Sequence, residues 1–146
     1  MIRLIGFLLI LVPLSVYSET DIIRPFTTDG CSAFPDGTLA QKSIWANCCV
    51  RHDLAYWKGG THKQRLQADE ALAACVAEVG EPEIARMMLA GVRVGGGPWW
   101  PTPYRWGYGW SWLRGYKALD ENEQNQVTRR LVELRELVNA LLPAAQ

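Results

Sequence analysis

The sequence has no excess of charge of either sign, because Lys and Arg together number 15 and Asp and Glu together also number 15. Proteins that bind nucleic acid usually present a strongly basic face, so this balance argues against that class of partner. The chain also lacks internal repeats and low-complexity linkers. At 146 residues it is long enough for one domain with a hydrophobic core and too short for two.

Long hydrophobic runs are scarce, and the one near the start of the sequence is short. Residues 4–16 are apolar, but Pro13 interrupts them, so the unbroken part is about half of the ~20 residues that a spanning helix needs. A positive region, residues 1–3, precedes this run, and residues 16–18 form a plausible cleavage site. We therefore expect residues 1–18 to be a signal peptide and residues 19–146 to form one exported domain, periplasmic or secreted. An uncleaved anchor is the alternative.

Cysteines are few, and their spacing is not that of a metal site. The four are Cys31, Cys48, Cys49 and Cys75, and they lack the pair two to four residues apart that structural zinc sites usually show. In an oxidising compartment, a small even number of cysteines indicates two disulfides. A zinc site that combines cysteines with His52 and His62 is the competing interpretation.

Apolar periodicity predicts a mostly helical chain of the all-α class. A first helix is expected from about Ser43 to Lys58, where two glycines end it. Thr61 begins a second helix, with Gln64 three residues later to complete a capping box, and this helix extends to Val79. A shorter third helix is expected over residues 82–92.

Residues 91–116 are different in kind, because they contain five of the seven Trp residues, three Tyr and seven Gly. The segment has neither a helical nor a strand period, so we expect it to be irregular. Trp and Tyr next to Arg are typical of membrane-water interfaces. A folded flap over the helical core and a carbohydrate-stacking surface are the other interpretations, and we favour a flap that also borders a lipid entrance.

A last, amphipathic helix is expected over residues 120–142, with Asp120 capping onto Glu123. Its apolar residues recur at spacings of three and four. They are Val127, Leu131, Leu134, Val138 and Leu141. Such a stripe usually packs against a core, and a dimer seam or a partner groove is the second interpretation.

The run from Cys48 to Tyr56, CCVRHDLAY, contains the residues best suited to catalysis or metal binding. Successive residues of a helix are rotated by about 100°, so His52 and Asp53 project from neighbouring positions into a shared cleft. Tyr56 lies about 40° from His52 and one turn further along. Neither a Ser nor a Cys in the sequence has the setting of an activated nucleophile, so a covalent intermediate is not expected.

The same helical wheel favours one disulfide pairing among the three that are possible. Cys49 lies about 40° from Asp53, whereas Cys48 lies about 140° away. If Asp53 faces a metal loop formed by residues 29–31, Cys49 is placed to bridge Cys31. Cys48 is then left for Cys75 on the second helix.

Three features together resemble the secreted phospholipase A2 superfamily, and the loop is closest to its compact bacterial and fungal branch. They are the loop TDGCS…PDG, the helix CCVRHDLAY, and Asp69 with Cys75 six residues later. The match covers about residues 27–76. The resemblance implies a core of two antiparallel, disulfide-linked helices and the calcium-dependent hydrolysis of the sn-2 ester of glycerophospholipids.

The resemblance also implies roles for individual residues. His52 would be the general base that deprotonates the attacking water, Asp69 would orient its ring, and Tyr56 would support Asp69. Asp53 would bind Ca²⁺ together with the Asp29 carboxylate and the Gly30 carbonyl, since calcium prefers oxygen ligands. The Ser32 carbonyl is a further candidate for the same ion.

The sequence departs from the animal enzymes of this family at two points. Residues 32–34, Ser-Ala-Phe, replace the glycine-rich calcium loop. Calcium binding is therefore expected to depend more on the Asp29 carboxylate than on main-chain carbonyls. Ala55 stands where those enzymes have a cysteine. Without the resemblance Asp29 would be a turn former, and the Asp-Gly pair at 36–37 is expected to be a turn rather than a ligand.

The expected partner is a phospholipid at a membrane interface, with peripheral membrane contact. The alternative function is a lipid- or protein-binding module, toxin-like, that keeps the scaffold and turns over little. A structural envelope protein held by its aromatic segment and last helix is the third interpretation. The presence of both His52 and Asp53 favours the enzyme interpretation over these two, because a protein without catalysis has no chemical need for the pair.

Overall fold

The computed structural model describes residues 21–142, and the predicted signal peptide lies outside them. Within this range the chain forms four α-helices and one short 3-10 helix, Trp112–Arg114, with no strand. The α-helices are α1 (Ala46–Lys58), α2 (His62–Glu78), α3 (Pro82–Gly95) and α4 (Glu121–Leu141). The predicted all-α class is therefore confirmed for the described residues. None of the helices in this range is long and apolar enough to cross a membrane.

Both predicted capping boxes are present. The Thr61 hydroxyl accepts from the Gln64 main-chain N–H while the Gln64 side chain accepts from the Thr61 N–H, and Asp120 and Glu123 make the same reciprocal pair. Each box satisfies two N–H groups that the first turn of a helix leaves without partners. These local signals explain why the starts of α2 and α4 were predicted closely.

Two helix ends differ from the predictions. α1 begins at Ala46 rather than near Ser43, because Trp45 is tied to the preceding loop by its main-chain N–H to Asp36 O and its indole N–H to Pro35 O. α3 continues to Gly95 rather than ending near Val92.

The first two helices are antiparallel and joined by a disulfide. Cys48, near the start of α1, is bonded to Cys75, near the end of α2, and further along α1 His52 meets Asp69, which lies earlier in α2. The second disulfide joins Cys31 to Cys49 and ties the loop before α1 to that helix. The predicted pairing is therefore the one observed. The zinc interpretation is wrong, because all four cysteines are in disulfides.

The core has two parts, one on each side of the His52 region. One part packs α1, α2 and α3 around the disulfides. Its buried members are Cys31, Trp45, Cys48, Cys49, Leu72, Val76, Ala85 and Met88. The other part packs the end of α1 against the aromatic segment and the start of α4. Its buried members are Ile23, Tyr56, Trp57, Trp106, Tyr108, Trp110 and Val127.

The prediction that residues 91–116 are irregular is wrong for residues 91–95, because the helical hydrogen bonds of α3 continue to the Gly96 N–H. The rest, residues 96–116, is called the aromatic segment here and covers the end of α1 as a folded flap without regular strands or α-helix. Trp106 and Trp110 are buried, and their indole N–H groups donate to the Gly60 and Lys58 carbonyls. The main chain of this segment also supplies N–H groups to carbonyls at the end of α1. The segment therefore satisfies carbonyls that the helix end would otherwise leave without partners.

The apolar stripe of α4 is only partly covered. Val127 is buried, Leu131 and Leu134 are half-buried, but Val138 and Leu141 are 44 % and 69 % exposed. The expectation that the whole stripe packs against the core is wrong for its last two turns, because α4 extends past the body of the described residues.

Candidate functional site

A cavity of about 350 Å³ lies between the loop before α1, the middle of α1 and the inner face of α3. His52, Asp53 and Tyr56 line it together with Gly30 of the loop. Most of the remaining wall is apolar, with Phe34, Leu72, Met87, Met88 and Val92 among the lining residues. This volume is within the range of small-molecule sites, which are about 300–1,000 Å³. The sequence-predicted residues of α1 therefore share one apolar cavity.

The structure brings His52 and Asp69 into contact. The Nε2 atom of His52 lies 3.1 Å from Oδ1 of Asp69, and the Asp69 side chain is fully buried. An ionised carboxylate only accepts hydrogen bonds, so Nε2 is the nitrogen that carries the proton. The Nδ1 nitrogen of neutral His52 then has a free lone pair.

Tyr56 contacts both members of this pair. Its hydroxyl donates to Oδ1 of Asp69 at 2.6 Å, and its ring lies 4.2 Å from the His52 ring, centroid to centroid. Burial, together with the neighbouring Asp69 carboxylate, raises the pKa of Tyr56 well above its usual range. The phenol therefore stays protonated and acts as a donor that keeps Asp69 in place.

Two arginines balance the charge of Asp69 on its other side. Arg93 Nε lies 3.2 Å from Asp69 Oδ2, an ion pair without the angle of a hydrogen bond, and Arg65 Nε lies 3.9 Å from the same oxygen. Arg65 also donates to the Tyr56 hydroxyl and to two carbonyls at the end of α3. A buried carboxylate is stable as an ion only with such compensation.

Asp53 is a buried carboxylate with little compensation from the described residues. Its side chain is 5 % exposed, and Oδ2 accepts a 2.7 Å hydrogen bond from the Thr28 hydroxyl. Burial raises the pKa of Asp53 to about 6, and the nearby negative charge of Asp29 adds to this, while Thr28 and His52 act in the opposite direction. A cation at this carboxylate would favour its ionised form.

The loop before α1 presents its main chain to the same cavity. Gly30 has a φ of +78° and lines the cavity, and the Cys31 N–H donates to Asp36 Oδ1 at 2.8 Å. Asp36 thus acts within the loop, as expected of a turn residue rather than a ligand. The Asp29 side chain is exposed and accepts a hydrogen bond from the Ser32 hydroxyl.

The donors near Asp53 fit calcium better than a metal held by several side chains. Within residues 21–142 no group of three His, Cys, Asp or Glu side chains could hold a metal ion. Calcium, however, accepts main-chain carbonyls together with carboxylates. Asp53 supplies a buried carboxylate, Asp29 lies close enough to influence its pKa, and Gly30 contributes main chain at the cavity. The residues present therefore fit a calcium ion.

Sequence reasoning missed four residues around the site. Arg65 stands four residues before Asp69 on α2, a helical spacing that places the two side chains on one face, whereas the contact of Arg93 with Asp69 arises only from the packing of α3 against α2. Thr28 lies in the TDGCS loop, but its contact with Asp53 requires the folded loop. Asp36 was assigned to a turn without its bond to Cys31.

Comparisons with protein-family models, with curated proteins and with solved structures found no match to this chain. The assignment of function therefore depends on the residues of the site and their geometry.

Proposed function

We propose that the protein is a calcium-dependent hydrolase of the phospholipase A2 kind, which cleaves the sn-2 ester of glycerophospholipids. One observation supports this above all. His52 is held by Asp69 at 3.1 Å and projects, next to Asp53, into a single apolar cavity. A general base beside a carboxylate that could hold a cation is one combination by which water can hydrolyse an ester.

The residues of the chain suit each proton transfer of this reaction. The Nδ1 lone pair of His52 takes a proton from water as the water oxygen bonds to the ester carbonyl carbon. Asp69 stabilises the imidazolium that forms, through the hydrogen bond to Nε2. The imidazolium then returns the proton to the departing alkoxide as the C–O bond breaks. The products are a fatty acid and a lysophospholipid.

The negative charge on the carbonyl oxygen needs a stabilising group. Bound Ca²⁺ would polarise that carbonyl and stabilise the oxyanion. Asp53, the Asp29 carboxylate and the Gly30 carbonyl would hold the ion, with the Ser32 carbonyl as a further candidate. The raised pKa of Asp53, caused mainly by burial, supports this role because a bound cation would offset it.

The proposed partner is a phospholipid at a membrane surface. Trp99 and Trp100 are 60 % and 50 % exposed, and Thr102, two residues further on, lines the cavity. Indole rings are favourable at lipid-water interfaces because they combine an apolar body with a polar N–H. Peripheral contact through this part of the aromatic segment would bring the cavity to the lipid. The disulfides agree with export to an oxidising compartment, periplasmic or secreted.

The direct experiment is fatty-acid release from mixed phospholipid micelles by the purified, oxidised protein, with calcium and with chelator. His52→Gln should reduce kcat by a factor of about 10²–10⁴, since it removes the general base. His62→Gln is the matched control, because His62 is the chain's other histidine, is exposed and lies outside the cavity. Analysis for lysophospholipid identifies the bond that is cut. Absence of turnover with several head groups, from a folded protein that binds calcium, would refute the proposal.

A second candidate is a module that binds lipid without hydrolysing it. The mostly apolar wall of the cavity and the exposed Trp99 and Trp100 near it would serve lipid binding with or without turnover. Lipid binding that persists in chelator, without any fatty-acid release, would support this candidate.

A further inference from the structure

Two glycines in α3 have no local reason to be glycine. Neither Gly91 nor Gly95 has a positive φ. A Cβ atom built on either would meet no other atom within 4 Å. Glycine destabilises a helix relative to alanine, because it has more backbone entropy to lose on folding. Gly91, in the interior of α3, therefore carries a cost that backbone geometry and packing do not explain, whereas Gly95 is the last residue of the helix, where this cost is small.

Gly96, the next residue of the chain, shows what a structurally required glycine looks like. A Cβ on Gly96 would lie 2.3 Å from the Tyr56 hydroxyl oxygen, so a side chain there would displace the residue that holds Asp69. Gly91 and Gly95 have no such neighbour.

Both glycines are exposed and line the open rim of the cavity that contains His52. Together with Met87, which also lines it, they are spaced four residues apart and so lie on one face of α3. From residue 87 to residue 95 this row is about 12 Å long, at ~1.5 Å per residue. The row begins with a long apolar side chain and continues with two positions that leave the space beside the helix open.

We propose that Gly91 and Gly95 are specificity-determining residues, which keep open a lane along α3 for the acyl chain of the substrate and set the chain length that the site accepts. This inference rests on the proposed ester hydrolysis. The residues that line the cavity, all within the described range, include no Lys or Arg. The lane is therefore suited to an uncharged hydrocarbon chain rather than to an anionic group.

The test compares hydrolysis of dipalmitoyl- and dioctanoyl-phosphatidylcholine in mixed micelles. Gly91→Leu and Gly95→Leu fill the lane, so the ratio of kcat/KM for the palmitoyl over the octanoyl lipid should fall about tenfold or more. Ala90→Leu is the matched control, since Ala90 is an exposed residue of α3 that does not line the cavity. It places the same leucine side chain on α3 but outside the cavity, and it should leave the ratio unchanged.

Thermal stability provides a second measurement, in which one substitution should raise the Tm while it weakens the palmitoyl preference. Gly91→Ala should raise the Tm by about 2–5 °C, because alanine favours the helix and meets no atom there. The same variant should lower the palmitoyl preference in the direction of Gly91→Leu. A more stable protein with a weaker long-chain preference cannot be explained by partial unfolding.

Calorimetric binding of hexadecylphosphocholine and octylphosphocholine, below their micelle concentrations, separates this inference from the proposed reaction. If the wild type hydrolyses lipid but the leucine variants keep its chain-length ratio, the inference fails and the reaction stands. If nothing is hydrolysed but Gly91→Leu selectively abolishes binding of the longer chain, the lane stands and the reaction fails. If there is neither hydrolysis nor selective binding, the lane is refuted.

Discussion

Tyr56 donates its hydroxyl hydrogen to Oδ1 of Asp69 at 2.6 Å, the same oxygen that His52 Nε2 faces at 3.1 Å. One carboxylate oxygen of α2 therefore receives two donors from α1, one turn apart. The arrangement fixes the position of Asp69 relative to the His52 ring. Several consequences of this geometry and of the contacts around it are measurable.

Tyr56→Phe should lower both stability and turnover. It removes a buried hydrogen bond to a charged group, so we expect a loss of about 1.5–3 kcal/mol in the free energy of unfolding. Turnover should fall by about ten- to a hundredfold, because Asp69 then has only His52 as donor on Oδ1. Denaturant unfolding and the micelle assay measure the two effects. Tyr116→Phe is the control, since Tyr116 accepts from Arg65 and leaves the Asp69 contacts intact. Equal kcat in wild type and Tyr56→Phe would contradict a supporting role.

Asp53→Asn should abolish calcium binding in a calorimetric titration. In chelator, however, the substitution should stabilise the protein near neutral pH, because burial makes the ionised Asp53 unfavourable. The pKa of Asp53 is about 6 in the folded protein against 3.8 as its ordinary value, so the folded state binds the proton more tightly. This group therefore adds stability as the pH falls from about 6 to 3.8, and that contribution is lost as the pH rises again.

The measurement is thermal unfolding of both proteins in chelator between pH ~4 and pH ~7, a range that covers the interval between the ordinary pKa of 3.8 and the folded-state pKa of about 6. The variant should be the more stable near pH 7, and the wild type should gain relative to it on acidification. A wild type that loses stability relative to Asp53→Asn on acidification would contradict the raised pKa of Asp53.

Glu123 should contribute to acid sensitivity in the usual direction for a paired carboxylate. Hydrogen bonds from Arg114, together with those from Lys117 and the Asp120 N–H, lower the pKa of Glu123 to about 2. Its stabilisation is therefore complete above its ordinary pKa of 4.5 and is lost as the pH falls towards 2. Glu123→Gln should lower the Tm at pH 7, and the gap to wild type should narrow below pH ~4.5. A gap that is constant with pH would show that the charge of Glu123 is not responsible.

Arg65→Met should destabilise the protein more than removal of a surface arginine. Arg65 is buried and donates to Tyr56, Tyr116 and two carbonyls at the end of α3, so it joins α2 to both the site and the flap. Breaking such a buried charge network costs about 3 kcal/mol or more. Lysine should not restore the loss, because it lacks the fork of donors that reaches several acceptors at once.

Arg86→Met is the control for this substitution. Arg86 is exposed and pairs with Glu83 on the surface of α3, so its removal should cost less than about 1 kcal/mol. If urea unfolding shows comparable losses of unfolding free energy for Arg65→Met and Arg86→Met, the buried hydrogen bonds of Arg65 do not stabilise the protein as expected.

Much of the framework was predictable because its causes are local. The starts of α2 and α4 follow from the Thr61 and Asp120 capping boxes, which depend on residues three apart. The disulfide pairing followed from the helical wheel of α1, since a rotation of about 100° per residue places Cys49, and not Cys48, on the side of the loop. His52 and Asp53 enter one cavity for the same reason.

The remainder was set by contacts between residues far apart in the chain. The Arg93 contact with Asp69 arises because α3 packs across α2, and no motif marks this arginine, whereas Arg65 is four residues before Asp69 on α2 itself. The apolar stripe of α4 has one period throughout, yet its first turns are buried and its last turns are exposed, because burial depends on what lies opposite. The sequence by itself determined the helices, their caps and the residue types of the site. Only the tertiary structure decided that Arg93 approaches Asp69, which tryptophans are covered and how wide the cavity is, because these properties require the distant segments to be in place.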